Sequence, residues 1–164
     1  MSLQEQPSDP VRIRQFLPGD EASFQSLNEE WISHYFRIEA KDEKTFSDPQ
    51  GTILAPGGRI LFATVAGRCV GCCALLCTAE NEFEVAKMAV TPAYQGSGTG
   101  RKLLQSAIDT ARSAGARRLY LETNHTLTPA IRLYESLGFK QLPPGQITSS
   151  PYERADVFME MVLR

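Results

Sequence analysis

The sequence predicts a layered α/β (α+β) fold in which one mixed sheet carries helices on both faces. Three observations carry that prediction. Strand-like runs from Ile60 to Val90 are separated only by short turn signals, as in an antiparallel meander. Two later segments with helical spacing, each closed by glycine, alternate with strand-like runs, as crossovers to a sheet do. A chain of 164 residues matches the size of one domain with a sizeable core.

The elements follow in order. Val11 to Phe16 alternates with period two and reads as a strand. Pro18-Gly-Asp-Glu is a helix-starting signal, and a helix from about Pro18 to Phe36 places Phe24, Leu27, Trp31 and Ile32 near one face. A short helix near Lys41 to Phe46 precedes a Pro- and Gly-rich loop ending at Gly58. Strands follow over Ile60 to Ala66, Cys69 to Thr78 and Phe83 to Val90, the first two joined by a turn at Ala66-Gly-Arg68. A helix from Gly98 to Ala114 is closed by Gly115, and Leu119 to Thr123 is a strand. Thr128-Pro129 supplies an N-cap and first-turn proline for a helix running to Leu137 and Gly138. Phe139 to Leu142 and Asp156 to Leu163 complete the strands around a loop from Pro143 to Pro151.

Composition narrows the function classes. Seventeen basic against 19 acidic side chains leave a net charge of −2, so a phosphate backbone is not an expected partner. No apolar run approaches the ~20 residues of a membrane span. Residues 1–10 are polar, expected to be a disordered tail, and lack a signal-peptide pattern, which points to the cytoplasm. Residues 11–164 are expected to form a single domain. Cys69, Cys72, Cys73 and Cys77 lie within nine residues on a strand-like run, where thiols are expected to pack in the core rather than hold a metal.

The stretch Gln95-Gly96-Ser97-Gly98-Thr99-Gly100-Arg101-Lys102 lies between a strand and a helix. Three glycines let the backbone turn so that its N–H groups converge at a helix start, a place suited to anions and above all to phosphate. It is not a Walker A loop, because Gly-Lys-Ser/Thr is absent, and it lacks the third glycine of a dinucleotide fingerprint.

Read together, Lys87 to Leu104 resembles the central motif of the GNAT acetyltransferase superfamily, with Gln95, Gly98 and Gly100 at the pattern positions. Leu119 to Asn124 and Ala130 to Phe139 resemble its later motifs in the same order. The resemblance implies a single N-acetyltransferase domain with a mixed, mostly antiparallel sheet, acetyl-CoA as cosubstrate and no metal. The backbone of Met88, Ala89 and Val90 would pair with the pantetheine arm. The amides of Gln95, Gly96, Ser97, Gly98, Thr99, Gly100 and Arg101 would hold the diphosphate, Arg101 or Lys102 would add charge, and Asn124 would bond the pantetheine. Tyr134 falls where many members keep a tyrosine near the sulfur, and Glu84 where some carry a general base.

Chemistry demands such a base. An alkylamine of pKa ~10.4 is almost wholly protonated at neutral pH, and a phenol of pKa ~10 can protonate a leaving thiolate. A main-chain N–H of Met88 or Ala89 would stabilise the oxyanion. The expected acceptor is a primary amine of a small molecule or peptide, attacked directly in a ternary complex; a non-catalytic module that binds or senses acyl-CoA is the alternative. Glu29, Glu30, Trp31, His34 and Tyr35 are candidate acceptor-side residues that also suit a solvated helix face, as Arg132 and Arg154 suit a surface role. Without a bulge Lys87 and Glu84 would point to opposite faces. An edge strand near the C-terminus leaves a homodimer open.

Overall fold

The computed structural model describes residues 9–143, 150 and 152–163. Its strands are β1 (Arg12–Gln15), β2 (Arg59–Val65), β3 (Arg68–Ala79), β4 (Glu82–Val90), β5 (Arg118–Thr123), β6 (Lys140–Gln141) and β7 (Val157–Val162). Helices α1 (Glu21–Tyr35), α2 (Ala40–Ser47), α3 (Thr99–Ser113) and α4 (Thr128–Ser136) cover the sheet. A π turn over Gln50–Leu54 and a 3-10 turn over Pro92–Tyr94 complete the elements. The seven strands form one sheet in the order β1-β2-β3-β4-β5-β7-β6, antiparallel throughout except for the parallel β4–β5 pair.

The period-two alternation of the strands sorts two cores. Cys72 and Ala74 of β3 face Phe24 and Ile32 of α1 and Phe46 of α2. Cys73 and Leu75 face the apolar stripe of α3, Leu103, Leu104, Ala107, Ile108 and Ala111. Gly71 lets α3 close on the sheet, because a Cβ there would stand 2.9 Å from Leu103 Cδ1. The β2–β3 turn has positive φ at both Ala66 and Gly67, the geometry whose twist suits a two-residue hairpin.

Three local expectations change. Helix α1 starts at Glu21 rather than Pro18, because the Asp20 carboxylate accepts Leu17 N–H at 2.7 Å and both Arg14 guanidinium nitrogens instead of capping the helix. Thr128 lies inside α4 and Leu127 occupies the N-cap position. Cys72 and Cys73 are core residues, Cys69 is half-buried, and Cys77 is exposed where β3 runs past the helical layer. Residues 1–8 of the expected tail, and 144–149 and 151 of the expected loop, lie outside the described residues. No helix among the described residues is long and apolar enough to cross a membrane.

Two irregularities of β4 create the site. Parallel pairing with β5 covers only Glu82–Val85, after which β4 continues to Val90 against β3 alone. Beyond that point the two strands part. The register also slips: Ala74 faces Ala86 but Cys72 faces Ala89, so Lys87 and Met88 together oppose Cys73. Lys87 takes a φ of +53°, the left-handed turn of a bulge. The bulge returns the Lys87 side chain to the face of Glu84, where it meets α2.

There Lys87 Nζ donates to Asp42 Oδ1 and to the Tyr152 hydroxyl, both at 2.8 Å. Arg154 donates to Asp42 through two nitrogens at 2.7 and 2.8 Å and to Glu39 at 2.9 Å. Asp42, fully buried, also accepts the Glu39 N–H as half of a capping box. One carboxylate thus ties α2 to the bulge and to the segment before β7. Although burial alone would raise it, the Arg154 and Lys87 bonds hold its carboxyl at about 2, below the usual 3.8.

Asp42→Asn leaves two buried cations short of countercharge and is expected to cost about 3 kcal/mol in urea unfolding at pH 7. Because this folded-state pKa is depressed, the stabilisation is complete above about pH 4 and fades as pH falls toward 2. That acid-dependent loss should be absent from the variant.

Candidate active site

Where β4 and β5 part, a cleft passes through the sheet. Its α1 side is lined by Trp31, Ile32 and Phe36 with Glu84 and Glu122, and its other side by Met88, Leu127, Ala130 and Tyr134. Lys87, Asn124, Tyr152 and Arg154 complete the wall. Glu84 and Tyr134, from elements 50 residues apart in the chain, therefore share one opening.

Glu84 is the electrostatic centre of this cleft. Burial, followed by the charge of Glu122, raises its carboxyl from 4.5 to about 7, with Lys41 and Lys87 partly opposing the rise. Glu122, on β5, reaches the same face and accepts from Tyr120 Oη at 3.1 Å and Ser150 Oγ at 2.7 Å. Tyr134 packs edge-on against Phe139 with ring centroids 6.0 Å apart, and burial pushes its phenol above the ordinary range, so it holds its proton at neutral pH.

Asn124 also lines the cleft, but its side chain is engaged. It donates to the Arg154 carbonyl at 2.7 Å and accepts from Thr126 N–H and Oγ1. Of the strand residues expected to meet a ligand, Met88 lines the cleft, Ala89 is buried against the α1 core, and Val90 is half-buried.

Gln95 to Arg101 stand outside the cleft lining, at the start of α3. Gln95 Nε2 donates to the Val90 carbonyl at 2.9 Å, tying the loop to the end of β4. Gly96 and Gly98 adopt φ of +76° and +88°, which only glycine takes without cost. The first amide returned to the helix is Lys102 N–H, to Gly98 O at 3.1 Å. The amides of Gly96 to Arg101 meet no protein acceptor among the described residues, so six N–H groups cluster at one helix start. Gly100 carries this start onto the cleft: a Cβ there would lie 3.3 Å from Met88 Cε. Arg101 bonds Ser136 Oγ at 2.9 Å, and Lys102 is exposed.

The remaining candidates separate. Trp31 lines the cleft, with the Tyr35 ring tilted against it at 5.0 Å between centroids and His34 edge-on to Tyr35 at 4.6 Å. Glu29 accepts from Gln25 and Glu30 from Thr91 on the exposed side of α1, and Arg132 is exposed. Arg154, for which a surface role was the simpler expectation, is half-buried in the Asp42 cluster. His125 pairs with Asp156 at the surface. The sequence did not single out Asp42, Glu122 or Tyr152. The only available signal was the Glu39-x-x-Asp42 capping spacing, which speaks of a helix start and not of a site. Among the described residues no group of His, Cys, Asp and Glu is placed to hold a metal.

Known proteins resemble this chain in sequence and in fold. The Acetyltransferase (GNAT) family matches over residues 22–139. The IAA acetyltransferase of Azospirillum brasilense is 36% identical over 115 residues, covering 68% of this chain and 72% of its own. The uncharacterized N-acetyltransferase YjgM of Escherichia coli is 33% identical over 144 residues, covering 83% of this chain and 85% of its own. YncA of Salmonella typhimurium, solved with its cofactor acetyl-CoA, superposes with a TM-score of 0.71 at 23% identity, covering 94% of this chain and 95% of that one. The parted strands, the glycine loop and the matching sequence are one pattern, and the chain belongs to the GNAT family of acetyltransferases.

Proposed function

We propose that this protein transfers acetyl from acetyl-CoA to a primary amine of a small molecule or peptide by direct attack within a ternary complex. One observation carries the reading: a half-buried carboxylate of pKa near 7 and a protonated phenol share the cleft that opens where β4 leaves β5. The six amides at the start of α3 suit the diphosphate of the donor, and the unpaired edge of β4 after Val85 suits its pantetheine amides. Asn124 would reach the same arm only by exchanging its present partners.

Acetyl-CoA supplies an acyl group already activated as a thioester. Glu84, ionised above about pH 7, removes a proton from the acceptor ammonium, directly or through water. The free amine then attacks, and the carbon–sulfur bond breaks as the carbon–nitrogen bond forms. A main-chain N–H of Met88 or Ala89 stabilises the carbonyl oxygen as it gains charge. Tyr134 delivers its proton to the departing thiolate and recovers one from solvent. The cysteines take no part, because burial holds Cys73 at about 12 and pushes Cys72 up further.

Glu84→Gln should lower kcat by ~10²-fold or more and Tyr134→Phe by ~10-fold or more, with the KM for acetyl-CoA nearly unchanged. Wild-type kcat/KM should rise with pH through a midpoint near 7, a limb that Glu84→Gln abolishes. Because the Glu84 folded-state pKa is raised, its ionisation weakens the fold as pH climbs from 4.5 through 7. The same variant should therefore be more resistant to urea at pH 8 than the wild type. Gly98→Val, forcing a β-branched residue to φ near +88°, should instead raise the KM for acetyl-CoA at least tenfold. Tight acetyl-CoA binding without thiol release on any amine would favour a binding module over an enzyme.

A further inference from the structure

The acceptor half of the cleft has a charge arrangement that selects among amines. Its anions are free to meet a ligand. Glu84 has no hydrogen-bond partner among the described residues, and Glu122 holds only two hydroxyl donors. Its cations are spent. Arg154 directs both terminal nitrogens at Asp42 and Glu39, and Lys87 directs its ammonium at Asp42 and the Tyr152 hydroxyl. Asp42 and Glu39 neutralise these two cations, leaving the lining carboxylates only partly offset by Lys87 and by Lys41, an exposed side chain on the Tyr152 ring at 5.6 Å.

The apolar wall is equally definite. Trp31 and Phe36 line the opening with ring centroids 6.2 Å apart, and Tyr35, 43% exposed, extends the same surface outward. A ligand entering from this side meets aromatic faces first and two carboxylates at depth.

From this arrangement we infer that the acceptor is a cationic primary amine with an apolar, preferably aromatic, body and no carboxylate beside its nitrogen, and that Glu122 is the residue that enforces the choice. The inference rests on the acetyltransferase reading above. An ammonium placed between Glu84 and Glu122 cancels the repulsion between them, so the pair binds the protonated acceptor. One N–H bond then breaks and one O–H bond forms on Glu84. The carboxylate of a free amino acid would instead lie against these like charges with only the exposed Lys41 at the rim to receive it, and like charges close together in a partly dehydrated cleft repel strongly. An aromatic body also gains the cation–π and stacking surface of Trp31.

The test is thiol release from acetyl-CoA by the full chain with tryptamine, tryptophanamide, tryptophan and ethylamine. Tryptamine and tryptophanamide should show kcat/KM at least tenfold above tryptophan, and tryptamine at least tenfold above ethylamine. Glu122→Gln should raise the KM for tryptamine about tenfold without changing that for acetyl-CoA. It should also narrow the tryptamine-to-tryptophan ratio and shift the acid limb of kcat/KM to lower pH, which a merely structural role would not do. Tryptophan turned over as well as tryptamine, or a Glu122→Gln enzyme with unaltered selectivity, overturns the inference and leaves the acetyltransferase reading intact. Acetyl-CoA binding by calorimetry with no thiol release on any of the four amines overturns both.

Discussion

One inserted residue in β4 shapes the cleft of this protein. Without the bulge that sets Lys87 and Met88 against Cys73, strict alternation would point Lys87 into the apolar core beneath α3. Burying an ammonium among Leu, Val and Phe side chains is prohibitive. With the bulge, Lys87 turns to the polar face and Met88 takes the apolar one, packing against the core that includes Leu133 and Tyr134. The cost is a left-handed φ at a side chain that does not favour it, of order 1–3 kcal/mol, and the Asp42 bonds on the far end of Lys87 offset that strain.

The same bulge explains how a buried ion cluster is compatible with a stable fold. Isolated buried pairs barely repay their desolvation, but here each charge is met more than once. Asp42 receives two nitrogens of Arg154, the ammonium of Lys87 and the Glu39 amide, and the Tyr152 ring lies within 4.5 Å of the Lys87 ammonium and 4.3 Å of the Arg154 guanidinium. No buried side-chain nitrogen or oxygen among the described residues lacks a partner. The cluster therefore works as a fastener: it fixes α2 and the segment before β7 to the strand that carries Glu84. The position of this wall of the cleft follows from that attachment.

Local pattern made much of this legible. The order of elements followed from period-two runs, the 3.6-residue stripe of α3 and the glycines that end α3 and α4, and the glycine loop pointed to an anion site from its spacing alone. Glu84, Tyr134 and Trp31 were read on the elements where they stand. What remained hidden depends on contacts distant in the chain. Asp42 lies on a polar helix of eight residues whose sequence offers no apolar stripe, and its partners are 45 and 112 positions away. Glu122 became significant only when the parallel pairing put β5 beside Glu84. The thiol run shows the converse limit: all four cysteines are expected in the core from the strand pattern, but the point where β3 outruns the helices, and leaves Cys77 in solvent, is a matter of tertiary extent.

The two ends of the cleft are made of different material. The loop before α3 presents main-chain amides, which every residue but proline possesses, and its identity is restricted mainly by the turns that Gly96 and Gly98 must make. The opposite wall is composed of side chains: Trp31, Phe36, Glu122 and Tyr152. On the proposed function, single substitutions there would alter which nucleophile is welcomed while the grip on the nucleotide-bearing partner persists. Such a scaffold is free to diversify its clientele in small steps, because one half of the machinery is indifferent to changes that remake the other.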